Sequence, residues 1–333
     1  MSTQEGQENR ANRLMGLASQ LSQTLNVHLN ENNSATQTPI NEADRETYLQ
    51  FLVQVLEAVG NNSPNLQAIY PLLAANTDKL NLAFAQLLHT WATTKFKEAE
   101  TETVKSLAVK ISDFSSLLQQ FPLGNKANNM EIAITGYEIV STVFTRQISP
   151  EIWGVLQHNL GMAYLYRIRG DKAENLEIAI AAYTKALEVR TRSDFPLDWA
   201  MTQNNLGNAY SQRIRGDKAE NLETAITAYT AALEVRTRSD FPFDWADTQT
   251  NLGTAYLYRI RGGKAENIEF AITAYAEVLK VYTRSNFLVD WATTQNNLGE
   301  AYRNRIRGDK AENIESAIAD SIFSALSPLI LWE

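Results

Sequence analysis

One 46-residue unit recurs along this chain from residue 153 onward, and it constrains the fold more than any other feature. A tryptophan opens each unit, and the triplet Asn-Leu-Gly follows six residues later. The tryptophans are Trp153, Trp199, Trp245 and Trp291, and the asparagines of the triplets are Asn159, Asn205, Asn251 and Asn297. A fixed period of this length indicates a solenoid, in which each unit packs on the next rather than around one central core.

Two amphipathic helices account for the apolar residues of one unit. Trp199, Leu206, Tyr210 and Ile214 have helical spacing and are predicted to share one stripe of a first helix, helix A. A second stripe defines helix B and comprises Leu222, Ala225, Ile226, Tyr229, Ala232 and Leu233. The small residues of the two stripes are predicted to let neighbouring backbones approach, while Tyr210 and Tyr229 fill the adjacent gaps. These small residues are Gly207, Ala209, Ala225 and Ala232.

The residues between the helices carry start and stop signals. Gly216 suits the end of helix A, because glycine adopts the left-handed conformation at little cost. Asp217, with Glu220 three residues on, resembles a capping box at the start of helix B. Pro242 blocks any continuation of helix B, and Asp244 is expected to cap the next helix A.

A fainter unit precedes the four clear ones. Its helix B residues are Met130, Ala133, Ile134 and Tyr137, one period before Leu176, Ala179, Ile180 and Tyr183. Its helix A is predicted from residue 104 to residue 120. We therefore expect an all-α fold, an α-α superhelix with an N-terminal helical cap. The first predicted domain is a flexible segment at 1–41, with one amphipathic helix through Leu14 to Leu25, and the second is a cap at 42–103, with helices at 48–59, 64–75 and 80–97. A solenoid of one degenerate and four clear repeats, the last incomplete, is predicted at 104–320. A divergent tail follows at 321–333.

Charge and hydropathy exclude several classes of partner. The net charge of −8 and the pI near 5.1 argue against a nucleic-acid surface, because such binding depends on basic patches. No apolar run approaches the ~18 residues of a membrane span, and residues 1–10 lack the features of a secretory signal. We expect a cytoplasmic protein with a protein or peptide partner.

The sequence contains none of the catalytic or metal-binding motifs considered below. There is no cysteine, which excludes thiolate ligands and cysteine nucleophiles. His28, His89 and His158 are isolated, and neither a phosphate-binding loop nor a Gly-x-Ser-x-Gly elbow is present. Glu174 recurs once per repeat, as a scaffold residue does, whereas a catalytic group is singular. The sequence predicts no enzyme activity, no cofactor and no metal.

The unit resembles the tetratricopeptide repeat, through Leu206, Gly207 and Tyr210 of helix A and Ala225, Tyr229 and Ala232 of helix B. It exceeds the usual 34 residues by about a dozen, inserted mainly at 213–221 and 239–244. Long units with Asn-Leu-Gly resemble kinesin-light-chain-like repeats, and even more the arrays that precede a caspase-like CHAT domain in large bacterial proteins. The resemblance implies peptide or protein binding along a concave wall lined by helix A. It transfers no activity, since a caspase-like domain needs a catalytic cysteine and this chain has neither that residue nor length for the domain.

Two sets of helix A residues are candidates for partner binding. The asparagine of each triplet offers a donor and an acceptor, so the ladder Asn159, Asn205, Asn251 and Asn297 is suited to grip a bound backbone. The alternative is that each asparagine caps or bridges to the neighbouring repeat. The second set varies between repeats, as both a binding face and idle surface do; it comprises His158, Asn204, Asn208, Thr250, Thr254, Asn296 and Glu300. Four of these residues, His158, Asn204, Thr250 and Asn296, stand where the carboxylate-clamp version of the repeat places cations, and none of them is a lysine. The sequence therefore favours an internal or polar peptide segment over a C-terminal carboxylate.

Each turn also carries an Arg-x-Arg pair, such as Arg213 and Arg215. The pairs either form an anion-binding edge or, as we favour, pair with nearby acids such as Asp217 and Glu220. At the C-terminus the last repeat decays. The chain either ends there or is a truncated longer protein whose apolar residues 326–332 favour self-association. The leading hypothesis is a protein-interaction scaffold, and the alternative is the regulatory arm of an effector enzyme encoded separately or lost by truncation.

Overall fold

The computed structural model describes residues 42–60, 66–306, 308, 310, 312, 313, 315 and 316. In this part of the chain every regular element is an α-helix, which confirms the predicted all-α class. The helices are α1 Glu42–Val59, α2 Leu66–Ala74, α3 Leu82–Glu98, α4 Thr101–Gln120, α5 Lys126–Val140, α6 Pro150–Leu165, α7 Lys172–Leu187, α8 Pro196–Gln212, α9 Lys218–Leu233, α10 Pro242–Leu257, α11 Lys264–Val278 and α12 Leu288–Asn304. The predicted helix through Leu14 to Leu25 and the tail at 321–333 lie outside the described residues.

The chain divides into two compact units between Arg190 and Thr191. The first unit contains α1–α7 and the second contains α8–α12. The domain boundaries at residues 41, 103 and 320 stay predictions.

In the first unit, the predicted cap helices α1–α3 pack onto the degenerate repeat. Helix α1 contacts α4, and α3 contacts α5. The ring of Phe84 on α3 is fully buried, with its centroid 5.3 Å from that of Phe51 on α1 and 6.1 Å from that of Phe114 on α4. Helices α4 and α5 pack together at the positions predicted for the degenerate repeat, and α6 and α7 pack together at those of the first clear repeat.

In the second unit, each helix B lies between two helices A. Tyr229 of α9 is buried with Leu252 and Ala255 of α10, and Tyr275 of α11 is buried with Leu298 and Ala301 of α12. This packing buries the apolar stripes from one repeat to the next, which a single helix pair cannot do alone. The two helices of a repeat are antiparallel, because Arg213 reaches Asn221 beside the turn while Gly207, further from the turn, lies against Tyr229.

The turn between helix A and helix B forms as its residues predict. Gly216 has φ +80°, the left-handed conformation that glycine accepts. The Asp217 side chain accepts a hydrogen bond of 2.8 Å from the backbone N–H of Glu220, which caps α9.

Two expectations about helix A were wrong. Helix α10 begins at Pro242 with Phe241 as its N-cap, so Asp244 lies in the first turn and pairs with Arg236 at 3.1 Å instead of capping the helix. Proline is well suited to the first helical position because its fixed φ fits and its missing N–H is not needed there. Helix α8 ends at Gln212, so Ile214 lies beyond the apolar stripe and is 63% exposed.

Gly207 makes room for a side chain rather than for a neighbouring backbone. A Cβ atom at this position would lie 2.5 Å from the ring of Tyr229, closer than two carbon atoms can approach. The tyrosine of helix B therefore packs directly on the glycine of helix A.

Candidate partner-binding surface

The asparagine ladder defines one side of the A helices, called here the asparagine face. In the second unit it carries Asn205 on α8, Asn251 on α10 and Asn297 on α12. In the first unit it carries Asn159 on α6 and, one period earlier, Asp113 on α4. The sequence prediction missed Asp113, although the 46-residue period points to it once the degenerate repeat is aligned.

In the second unit, a chain of amides runs across the asparagine face. Asn251 Nδ2 donates to Asn204 Oδ1 at 3.1 Å, and Asn204 Nδ2 donates to Asn205 Oδ1 at 3.2 Å. Asn204 is buried, whereas Asn205 and Asn251 are half-buried. At this point the ladder bridges adjacent repeats, as one of its two interpretations expects.

The other predicted residues of the second unit differ in exposure. Asn297 and Thr250 are half-buried, the Thr250 hydroxyl donates to the carbonyl of Ala246 at 2.8 Å, and Asn296 is exposed. The row of Asn208, Thr254 and Glu300 accepts or shares hydrogen bonds with tyrosine hydroxyls. The pairs are Tyr229 to Asn208 at 2.8 Å, Thr254 with Tyr275 at 2.9 Å, and Tyr258 to Glu300 at 2.7 Å.

In the first unit, the predicted residues are buried. His158 is 2% exposed with its ring centroid 5.5 Å from that of Tyr183, and Asn159 is 4% exposed with Nδ2 3.4 Å from Ser116 Oγ. The Ser116 hydroxyl in turn shares a hydrogen bond of 3.0 Å with the Tyr137 hydroxyl. These side chains are engaged within the repeat stack, so we leave His158 and Asn159 out of the proposed contact surface.

Asp113 differs from every other ladder position of the described chain. It is 4% exposed, and neither its Oδ1 nor the neighbouring Ser112 Oγ has a hydrogen-bond partner within the described structure. Burial raises the pKa of the Asp113 carboxyl to about 7. Burial also raises the pKa of the adjacent Tyr137 hydroxyl, which stays neutral at physiological pH.

The arginines of the turns pair with acids, as favoured, but the partners differ from those predicted. Arg259 pairs with Glu223 at 2.7 Å, and Arg261 pairs with Glu220 at 2.6 Å. Each acid lies on helix B of the preceding repeat rather than in the arginine's own turn. The corresponding pairs elsewhere are Arg167 with Glu131 and Arg305 with Glu269. Glu131, Glu223 and Glu269 share the 46-residue period, which was the signal for this pairing.

The tryptophans lie in the same environment in each repeat. A guanidinium from the preceding loop lies over each indole, with its central carbon 5.3–5.8 Å from the ring centroid. The four arginines are Arg146, Arg192, Arg238 and Arg284. Three of them also pair with a glutamate at the end of the following helix B: Glu188, Glu234 and Glu277. The repeated tryptophan is thus part of the contact between repeats.

The described residues hold no group of three or more His, Cys, Asp or Glu side chains placed to share a metal ion. None of the described helices combines the length and apolar character needed to cross a membrane.

Comparison with known proteins identifies the repeat. Residues 199–242 match the family model of the tetratricopeptide repeat. The crystal structure of BtubC (BKLC) from P. vanneervenii is similar over 87% of this chain and 93% of that chain, with 16% sequence identity and a TM-score of 0.43. No curated protein matches the sequence. The matched segment is one unit of the array, whose tryptophan and Asn-Leu-Gly recur at the 46-residue period. At residues 199–242 the 46-residue unit therefore matches the tetratricopeptide repeat, a helical repeat that generally serves in protein-interaction scaffolds.

Proposed function

We propose that this chain is a protein-interaction scaffold that binds an uncharged, polar segment of a partner protein along the asparagine face of its second unit. The amide chain of Asn251, Asn204 and Asn205 is the observation that carries this proposal. It holds half-buried amides of successive repeats in fixed orientations on one face.

The chemistry of these amides suits a peptide backbone. A carboxamide has two N–H donors and one carbonyl acceptor. The hydrogen bond from Asn251 to Asn204 uses only one of the two N–H donors of Asn251. A peptide backbone presents the same donors and acceptors in alternation. Bonds between neighbouring amides also fix their rotamers before a partner arrives, which reduces the entropy lost on binding.

The charge of the face favours a neutral segment. Of the candidate residues in the second unit, only Glu300 carries a charge, and its carboxylate accepts a hydrogen bond from Tyr258. No lysine occupies the row of Asn204, Thr250 and Asn296, so a C-terminal carboxylate has no cation to bind there. Hydrogen bonds to backbone amides and to polar side chains remain as the main source of affinity.

A displayed library of random peptides, selected on the full chain, tests the proposal. Selected peptides are made synthetically, and their affinity is measured by fluorescence anisotropy. The double variant Asn205→Ala with Asn251→Ala is expected to weaken binding about tenfold or more, because each lost buried hydrogen bond costs on the order of 1 kcal/mol. Circular dichroism verifies that its helicity is unchanged.

Thr227→Ala with Thr273→Ala is the matched control. These two exposed threonines lie one period apart on helix B, and each donates a hydrogen bond only within its own helix. The control is expected to bind as the parent does. Equal affinities for the parent and the asparagine variant, or equal losses of affinity in both double variants, would show that the asparagine face does not bind the peptide. A library that yields no binder contradicts the proposed function itself.

A further inference from the structure

We infer that the asparagine face of the first unit receives a positively charged side chain of the partner, an ammonium or a guanidinium, at Asp113. The inference rests on the proposed function, because it needs a bound partner protein; the basic side chain belongs to that partner but not to the uncharged segment bound by the second unit. It concerns a residue that the ladder, taken as asparagines alone, does not include.

The repeat itself serves as the comparison for this position. Four repeats place asparagine at the ladder position, namely Asn159, Asn205, Asn251 and Asn297, and the degenerate repeat places Asp113 there. Asparagine donates and accepts hydrogen bonds, whereas an ionised aspartate only accepts. A group that binds the ionised form of Asp113 must therefore donate.

The carboxyl group has no donor among the described residues. Its Oδ1 and the adjacent Ser112 Oγ are both buried and without a hydrogen-bond partner there. The nearby polar groups are committed to one another, since Asn159 donates to Ser116 and Ser116 bonds with Tyr137. Buried polar atoms rarely stay unpaired in native proteins, and a bound ligand is one way in which they are satisfied.

A charged donor also suits the carboxylate better than a neutral one. Unless a cation lies beside it, the ionised form carries a buried, uncompensated negative charge, which is costly. Burial already raises the pKa of this carboxyl to about 7, with no described cation to lower it. A cation placed beside it favours the ionised form and is itself held by a charge-assisted hydrogen bond.

The depth of the carboxyl selects the kind of cation. At 4% exposure it lies below the surface, so the donor must stand at the end of a long, flexible side chain. Lysine and arginine meet this need, because their aliphatic stems lie along apolar surface while the charged end reaches a partner. A metal ion does not fit, because one carboxylate and one hydroxyl supply too few ligands.

The test uses pairs of the synthetic peptides selected above, each made once with lysine and once with Nε-acetyl-lysine at its basic position. The parent chain is expected to bind the lysine form at least tenfold more tightly. Asp113→Asn, which gives the degenerate repeat the residue of the other four, is expected to abolish this preference while leaving the affinity for the acetylated form unchanged. Glu138→Gln is the control, because Glu138 is another buried carboxyl of the same unit but accepts a hydrogen bond from Tyr164.

The outcomes separate this inference from the proposed function. Selected peptides that bind without a basic residue, or with equal affinity in both forms, overturn the cation site and leave the scaffold proposal standing. A preference for lysine that persists in Asp113→Asn places the cation elsewhere, and one lost equally in Glu138→Gln assigns the effect to general repacking; either result overturns the inference. If the library yields no binder, both proposals fall.

Discussion

At the scale of single residues, the glycines of the first three Asn-Leu-Gly triplets each meet a tyrosine ring from helix B. A Cβ atom would lie 2.7 Å from the ring of Tyr183 at Gly161, 2.5 Å from that of Tyr229 at Gly207, and 3.1 Å from that of Tyr275 at Gly253. The first two distances are too short for a carbon contact, and the third requires only a small shift. The requirement for glycine at this position therefore differs from one repeat to the next.

Gly207→Ala is expected to destabilise the protein by about 1–3 kcal/mol, because the added methyl group overpacks the contact with Tyr229. Gly253→Ala is the matched control in the same unit and is expected to cost clearly less. Both changes gain up to ~1 kcal/mol of helix propensity, so the difference between them isolates the clash. Urea denaturation followed by circular dichroism measures both, and equal effects would contradict the steric argument.

The tyrosine hydroxyl of helix B finds a partner on helix A in three of the described repeats. Tyr137 bonds with Ser116, Tyr229 with Asn208 and Tyr275 with Thr254. In the first clear repeat the corresponding residue is Met162, and the buried Tyr183 hydroxyl has no partner among the described residues. A helix A row that varies between repeats thus decides whether this tyrosine hydroxyl has a hydrogen-bond partner.

Met162→Asn is expected to stabilise the chain by about 1 kcal/mol, because it supplies the acceptor that Asn208 supplies one repeat later. The reverse change, Asn208→Met, removes the hydrogen bond that Tyr229 donates to Asn208 and is expected to cost about 1 kcal/mol. Thermal denaturation of the two variants checks the pair of signs. A loss of stability in Met162→Asn with no loss in Asn208→Met would refute the explanation.

At the scale of helices, the local signals of the sequence predict the elements well. Helix A, helix B and the turn at Gly216 and Asp217 follow from apolar spacing and capping chemistry, which act within a few residues. The start of helix A was misjudged because Pro242 is both a stop signal for one helix and a suitable first residue for the next.

Contacts between repeats were harder to predict than the helices themselves. The partner of Arg259 is Glu223, 36 residues earlier, and this pairing depends on how one helix pair stacks on the next. The exposure of the ladder was unpredictable for the same reason. Asn204 and Asn296 occupy equivalent positions, yet the first is buried and the second exposed, because the surroundings change along the array while the period does not.

The ion pair between Arg259 and Glu223 is expected to couple adjacent repeats by about 1–2 kcal/mol. Two hydrogen bonds of 2.7–2.8 Å join the guanidinium to the carboxylate, and the side chains are 25% and 22% exposed. Such bidentate, partly shielded pairs are stronger than surface pairs. A double-mutant cycle with Arg259→Ala and Glu223→Ala, measured by urea denaturation, gives the coupling energy.

The pair of Arg261 with Glu220 is the control for this cycle. It joins the same two repeats, but its side chains are 52% and 64% exposed, and solvent screens the attraction. We expect a clearly weaker coupling there than in the shielded pair. If the exposed pair couples as strongly as the shielded pair, burial is not what gives these arginines their stabilising effect.

At the scale of the whole molecule, the period predicted the fold class and the kind of repeat, but not the features that make one unit unlike the other. Two buried carboxyls belong to the first unit, Asp113 and Glu138. The residues one or more periods after Glu138 are Thr184, Thr230 and Ala276, none of which ionises. The degenerate repeat departs from the pattern, so the pattern does not reveal what its own residues do.

These carboxyls are expected to make the chain less stable as the pH rises from about 4 to 7. Burial raises the pKa of Asp113 from 3.8 to about 7, and burial is also the main cause that raises the pKa of Glu138 from 4.5 to about 7. Between the unfolded and folded pKa values the folded chain binds one more proton at each site, so stability is largest at low pH and is lost as pH rises through the folded pKa.

Asp113→Asn isolates this effect, because every other titrating group is shared with the parent and cancels in the difference. The stability of the variant relative to the parent is expected to rise by about 1.4 kcal/mol for each pH unit from 5 to 7 and to level off above 7. Urea denaturation at pH 5, 6, 7 and 8 measures it. Glu138→Gln is expected to show the same slope of stability against pH, because glutamine retains the hydrogen bond that Tyr164 donates and only the titration of the carboxyl is lost. A difference that stays constant over this range would mean that Asp113 titrates as a solvated carboxyl does, and the buried charge on which the cation site depends would be absent.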